Sequence, residues 1–238
     1  MKKFTAVIAA LMTALCCLTS CSGNNNSSLS EESSSTRERQ KRVSSAKIDE
    51  NILGTWRNDL QGYRFQEDRN VSLLMNFSDS VHFTKDGKLM LDGEILPDDM
   101  LTNDGLKITA KKHYDGFDEP ADIFTLERKD GQKNTDTIDG TYKMTEGSYI
   151  KLVASNFGLT PEQANIEVAV DGENFDIILV DYCLYETNNG KLDLFSENMD
   201  YVDENANAVS YDYSIDGDTL TMTYETGDTE ILKKTEDK

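Results

Sequence analysis

The sequence predicts an all-β domain of short antiparallel strands, and two observations carry that prediction. The first is turn chemistry. Asp-Gly pairs begin at Asp86, Asp92, Asp104, Asp115, Asp130, Asp139, Asp171 and Asp216, and Asn189-Gly190 adds one more. These dipeptides suit type I′ turns, whose two central residues both take positive φ. Their even spread argues for successive hairpins and against βαβ crossovers. The second is alternation. In Leu106-Lys107-Ile108-Thr109-Ala110-Lys111, Thr219-Leu220-Thr221-Met222-Thr223-Tyr224 and Lys191-Leu192-Asp193-Leu194, apolar residues fall on every second position. One wet and one dry face is the mark of an antiparallel sheet. Phe175 to Leu184 is more continuously apolar and reads as a central strand. The candidate strands number roughly a dozen or more, which suits a meander barrel.

The chain begins with a leader. Lys2 and Lys3 form a positive end, and Phe4 to Leu18 is an apolar run of 15 residues. That is too short for a comfortable transmembrane helix. Leu18-Thr19-Ser20-Cys21 follows. It resembles the bacterial lipoprotein signal: Leu, two small residues, then Cys. The resemblance implies cleavage between Ser20 and Cys21, diacylglycerol on the Cys21 thiol, and palmitate-type acylation of the new N-terminus. Two or three acyl chains anchor stably, since each buried methylene contributes about 0.8 kcal/mol. The implied location is extracytoplasmic, at the cell surface or on the periplasmic side of a bacterial membrane.

Residues 21–47 read as a disordered Ser/Asn-rich tether. They hold Gly23-Asn24-Asn25-Asn26, Ser33-Ser34-Ser35 and a small basic cluster of Arg37, Arg39, Lys41 and Arg42. So little apolar surface cannot offset ordering entropy. As a flexible coil the tether spans on the order of 25–30 Å. The folded domain is then 48–238, with an internal division considered near 137–165.

Charge narrows the partners. The full chain carries −20, and removing the leader takes away Lys2 and Lys3, leaving 22 basic and 44 acidic side chains, net −22. Such a surface repels phosphate backbones, so nucleic acid is not an expected partner. High net charge also keeps a tethered monomer soluble. Cys16 and Cys17 lie in the leader and Cys21 at its end, so Cys183 is the one cysteine of the domain. A disulfide framework is therefore excluded, and Cys183 in Asp181-Tyr182-Cys183-Leu184-Tyr185 is expected as a small buried hydrophobe.

Helices are expected to be few. Ser45 to Ile52 fits one helical turn with Ile48 and Ile52 on one face. Thr160-Pro161-Glu162-Gln163 offers an N-cap, proline at the first helical position and a capping-box glutamine, predicting a short helix to about Asn165. Gly140 to Leu152 parallels Tyr213 to Met222 as tyrosine strand, Gly turn, alternating strand. Two tandem small barrels, the second starting near Asn165, are the alternative to a single barrel.

A second resemblance follows. Ile52-Leu53-Gly54-Thr55-Trp56-Arg57 looks like the opening strand of lipocalin-like domains. Phe83 to Lys88 and Tyr213 to Met222 look like the central and closing hairpins of lipocalin-like bacterial lipoproteins. The resemblance implies an antiparallel meander barrel with Trp56 and Arg57 as candidate floor residues beneath a cavity.

Sites of chemistry are sparse. Asp203-Glu204-Asn205-Ala206-Asn207 imitates the start of an EF-hand loop, but Ala208 and Ser214 stand where Gly and Glu are required. His82 and His113 have no Cys or His neighbours at zinc spacing. No Gly-x-Ser-x-Gly elbow and no phosphate-binding glycine loop is present. No metal, no cofactor and no enzymatic activity are expected. The expected function is a membrane-anchored, non-enzymatic module that binds a small or hydrophobic ligand. The alternative is a structural or protein-interaction module of the envelope without a ligand cavity.

Overall fold

The structure, a computed structural model, describes residues 48–196 and 208–236. In chain order the strands are β1 (Gly54–Arg57), β2 (Gln61–Phe65), β3 (Asn70–Asn76), β4 (Val81–Phe83), β5 (Leu89–Leu91), β6 (Glu94–Ile95), β7 (Leu101–Asn103) and β8 (Lys107–Lys112). They continue with β9 (Ala121–Arg128), β10 (Gly140–Glu146), β11 (Ile166–Asp171), β12 (Asn174–Asn188), β13 (Lys191–Ser196), β14 (Ala208–Asp216), β15 (Thr219–Tyr224) and β16 (Thr229–Thr235). Among the described residues one α-helix, α1 (Ser148–Asn156), follows β10, and 3₁₀ turns precede β1 and β7. The fold is all-β and antiparallel, as the alternation and the turns predict.

The chain divides into two compact units. The first takes the described residues up to Asn58, then Gly62–Ser72, and the described residues from Asp181 onward. The second takes Asp59–Gln61 and Leu73–Val180. The organisation is nested: the first and last described segments belong to the first unit, and residues 137–165 all lie inside the second.

The first unit contains a closed barrel of eight strands. Its order is β12-β13-β14-β15-β16-β1-β2-β3, with β3 hydrogen-bonded back to β12. Alternation aims one face inward. Cross-strand partners Trp56, Tyr63 and Lys234 share that face, as do Leu220 with Leu232 and Tyr211 with Leu192. Trp56, Tyr185, Leu192, Leu220, Met222 and Leu232 are fully buried. Each contributes roughly 1.5–3 kcal/mol of burial free energy. The inner set explains the outer one: Thr219, Thr221 and Thr223 share the opposite, wetter face of β15.

The second unit holds the hydrogen-bonded order β12-β11-β10-β9-β8-β7 and the three-stranded sheet β4-β5-β6. Its core includes Ile123, Phe124, Leu126, Val168, Phe175 and Ile177, all within 2% of complete burial. Phe124 stands 6.0 Å from Phe175 and 6.2 Å from Tyr149, ring centre to ring centre.

Two local expectations need correction. Residues 160–164 make a single turn and not a helix. Gln163 Oε1 does accept the Thr160 N–H at 2.9 Å, so half of the capping box forms, but nothing propagates it. The helix lies instead at α1, where alternation suggested a strand. Tyr149, Ile150, Val153 and Ala154 are its buried residues, spaced for one helical face. Its end is a Schellman motif: Leu159 N–H donates to Ala154 O at 2.9 Å, Gly158 N–H to Ser155 O at 3.3 Å, and Gly158 has φ +68°.

The Asp-Gly pairs also divide. Both residues take positive φ at Asp92-Gly93 and Asn189-Gly190, the type I′ pattern. After β11 and β14 the aspartate stays in the strand, and Gly172 or Gly217 opens the turn with positive φ, the pattern of type II′.

Candidate functional site

The site grows from the turn that precedes β1. Asp49 caps the 3₁₀ turn Glu50–Ile52: its Oδ1 accepts the Asn51 backbone N–H at 3.0 Å and the Asn51 side-chain amide at 2.8 Å. Two further bonds tie the cap to the barrel wall. The Asp49 N–H donates to Thr187 Oγ1 at 2.8 Å, and the Tyr213 hydroxyl donates to Asp49 Oδ2 at 2.9 Å. Ile52 is fully buried, and its carbonyl accepts the Trp56 indole N–H at 2.6 Å. The Lys234 ammonium stands 5.0 Å from the centre of the Trp56 ring.

Two hairpins complete the rim. The Asn189-Gly190 turn is held by Tyr213 N–H donating to Gly190 O at 2.8 Å. The Gly217-Asp218 turn is held by Lys234 N–H donating to Asp218 O at 2.9 Å. Between them and the cap lies an open groove of about 600 Å³, whose lining includes Asp49, Glu50, Tyr213, Ile215, Asp218 and Lys234.

The electrostatics of this rim are set by hydrogen bonds. Burial alone would raise the Asp49 carboxyl, but the bonds from Asn51 and Tyr213 outweigh it and hold the group below its ordinary value. The Tyr213 phenol moves the other way, pushed up to about 12 by burial and by the Asp49 carboxylate that accepts its hydrogen bond. At neutral pH the groove therefore presents the Asp49 carboxylate as an acceptor and the protonated Tyr213 phenol, with the Lys234 side chain also in its lining.

Further along the same inner face lies a second polar cluster. The Tyr211 and Tyr224 rings meet edge to face at 4.8 Å. The Tyr224 hydroxyl is 3.4 Å from Glu230 Oε2, and Asn58 Nδ2 is 3.3 Å from Glu230 Oε1. Burial, reinforced by the Glu230 charge, raises Tyr63 well above its ordinary range and pushes Tyr224 up to about 12. These phenols stay neutral, and Cys183 is buried beside them with 3% exposure.

Ser20 and Cys21 lie outside the described residues, as does the stretch Asp203–Asn207. Trp56 sits fully buried beneath Lys234, which itself lines the groove. Arg57 is half-buried on β1 opposite Gly62, where a Cβ would fall 2.5 Å from that of Arg57. His82 Nδ1 is 2.7 Å from Ser78 O, and His113 is exposed just after β8. Among the described residues no group of three or more His, Cys, Asp or Glu is placed to hold a metal ion. No described helix is long and apolar enough to cross a membrane.

Sequence reasoning did not find the Asp49–Tyr213 pair, which joins positions 164 apart. The local signal was Asp49-Glu50-Asn51-Ile52, an Asx cap before a buried isoleucine. Comparison with protein-family models, with curated proteins and with solved structures finds no match.

Proposed function

We propose that the chain is a lipid-anchored extracytoplasmic protein that binds a small polar ligand and performs no chemistry on it. The anchor reading rests on Leu18-Thr19-Ser20-Cys21 behind a short apolar run. The binding reading is carried by the groove of about 600 Å³ at the barrel end. That volume falls within the range of roughly 300–1,000 Å³ typical of small-molecule sites.

Its lining alters the ligand class. Asp49, Glu50, Tyr213, Asp218 and Lys234 supply acceptors and donors, so a hydrophilic molecule with hydroxyl or amine groups suits it better than a hydrophobic one. The non-catalytic reading is supported by the state of these groups. Asp49 is committed as an acceptor, and Tyr213 holds its proton to about 12, so neither is poised for proton transfer near neutrality.

The test is denaturing extraction of the purified mature chain followed by mass spectrometry. A small polar molecule should be recovered from the wild type and lost from Asp49→Asn and Asp218→Asn. Recovery of none, or equal recovery from both variants, overturns the ligand reading. Separately, Cys21→Ala should abolish lipid labelling and release the protein from membranes; unchanged retention overturns the anchor.

A further inference from the structure

The second unit carries a surface that the groove does not explain. Phe117 is 73% exposed, Ile95 54% and Tyr114 47%. All three lie in neighbouring segments of that unit. Lys112, just before the aromatic segment, reaches Glu94 at 3.4 Å, which ties the end of β8 to the strand that holds Ile95. A turn displays the rings: Phe117 N–H donates to Tyr114 O at 3.1 Å, and Gly116 takes φ +86°. A scattered exposed apolar residue needs no explanation, but two aromatics displayed by one tight turn do.

Carboxylates surround them. Asp115, Asp118 and Glu119 are interleaved with the rings, and Asp92, Glu94, Asp98 and Asp99 flank Ile95, all exposed. The nearby lysines are already engaged, Lys112 by Glu94 and Lys111 by Asp122 at 3.2 Å. The charges within those two pairs offset one another, and Asp92, Asp98, Asp99, Asp115, Asp118 and Glu119 leave the face net acidic around its exposed rings.

We propose that this face docks a cationic polypeptide, one whose lysine or arginine side chains meet the carboxylates and whose aliphatic side chains cover Phe117 and Tyr114. The charge selects this occupant over two others. An anionic lipid surface would be repelled by the flanking carboxylates. A second copy would bring the same acidic loop against itself, on a mature chain of net −22. A basic partner is steered in by the field, and the aromatic rings then supply the dry contact that dominates affinity.

The experiment uses the purified mature chain and two labelled synthetic peptides of equal length and charge, one alternating lysine with leucine and one alternating lysine with glycine. Fluorescence anisotropy at physiological ionic strength should show the lysine–leucine peptide bound roughly tenfold more tightly. Phe117→Ala combined with Tyr114→Ala should erase that preference. Asp115→Asn combined with Asp118→Asn should weaken both peptides and flatten the salt dependence. Equal binding of the two peptides, or a preference that survives loss of both rings, overturns the proposal. So does self-association or binding to zwitterionic phosphatidylcholine vesicles that Phe117→Ala abolishes, since the occupant would then be a second copy or a lipid surface.

Discussion

The Trp56 indole donates its N–H to the carbonyl of Ile52 at 2.6 Å, so the first barrel strand is latched to the turn that precedes it. Both side chains are fully buried, and the Lys234 ammonium lies over the indole from the last strand. Trp56→Phe keeps an aromatic ring but removes the donor and leaves the carbonyl unsatisfied. The expected loss is about 1–3 kcal/mol, read as a lower urea midpoint at unchanged slope. Lys234→Met keeps the stem and removes the charge, and should cost only about 0.5–1 kcal/mol. The double variant should cost less than the sum, because the two changes share the Trp56 ring.

The tyrosines predict the alkaline limit of stability. Tyr213, Tyr185 and Tyr224 are each pushed up to about 12, chiefly by burial, and Tyr211 is raised further. A raised folded value means that the folded state keeps its proton after the unfolded state has begun to lose it, near 10. The contribution is fully present below 10 and is lost as pH rises through about 12. Asp49 acts at the opposite limit. Its folded value lies below the ordinary 3.8, so its contribution is present above 3.8 and is lost as pH falls through the folded value. Unfolding midpoints measured across pH should therefore fall steeply above 10. Tyr213→Phe should shallow the alkaline fall and Asp49→Asn the acid one.

Gly147 shows where backbone, not side chain, places α1. It has φ +110°, and a Cβ there would lie 2.3 Å from Ile123 O and 2.6 Å from the Phe124 Cα. The contact is with a strand backbone and cannot swing aside. Gly147→Ala should therefore cost more than the roughly 1 kcal/mol of conformational preference alone, on the order of 2–4 kcal/mol. Gly158→Ala, with φ +68° but open space around its Cβ position, should cost only about 1 kcal/mol. Thermal unfolding of the pair separates steric from conformational cost.

The strands were legible because a two-residue period is a local property. Leu220 with Met222 and Ile108 with Ala110 are buried as their alternation requires. The nested division was not legible. It depends on β3 pairing with β12, as where Ser72 Oγ accepts the Asp181 N–H across 109 positions, and no local pattern encodes that choice. Helix α1 is hidden locally because Tyr149-Ile150-Lys151-Leu152 satisfies an alternating pattern over four residues. Only the stripe continuing to Val153 and Ala154, and Gly158 beyond it, distinguishes a helix. For the site, Trp56 was visible as a motif, while Tyr213 was visible only as a strand tyrosine. Its role depends on Asp49, which folding brings to it.

Arg128 illustrates the same limit and yields the last prediction. It is half-buried at the end of β9, and its guanidinium donates to Asp139 O and Thr137 O at 3.1 Å each and to the Tyr142 hydroxyl at 2.9 Å. It also stacks 5.0 Å from the centre of the Tyr142 ring. Gly140 makes room for it, since a Cβ there would lie 2.6 Å from Arg128 Nη1. One planar fork thus gathers the connection between β9 and β10 onto the start of β10. Lysine keeps the charge but offers a single point of donation. Arg128→Lys should loosen residues 129–139, with faster amide exchange there and faster tryptic cleavage after Lys129 and Lys133. The global cost should be only on the order of 1–2 kcal/mol, because the core beneath is untouched. Gly140→Ala should produce the same local loosening by displacing the guanidinium. Unchanged exchange in both variants would show that the connection is held by its own turns.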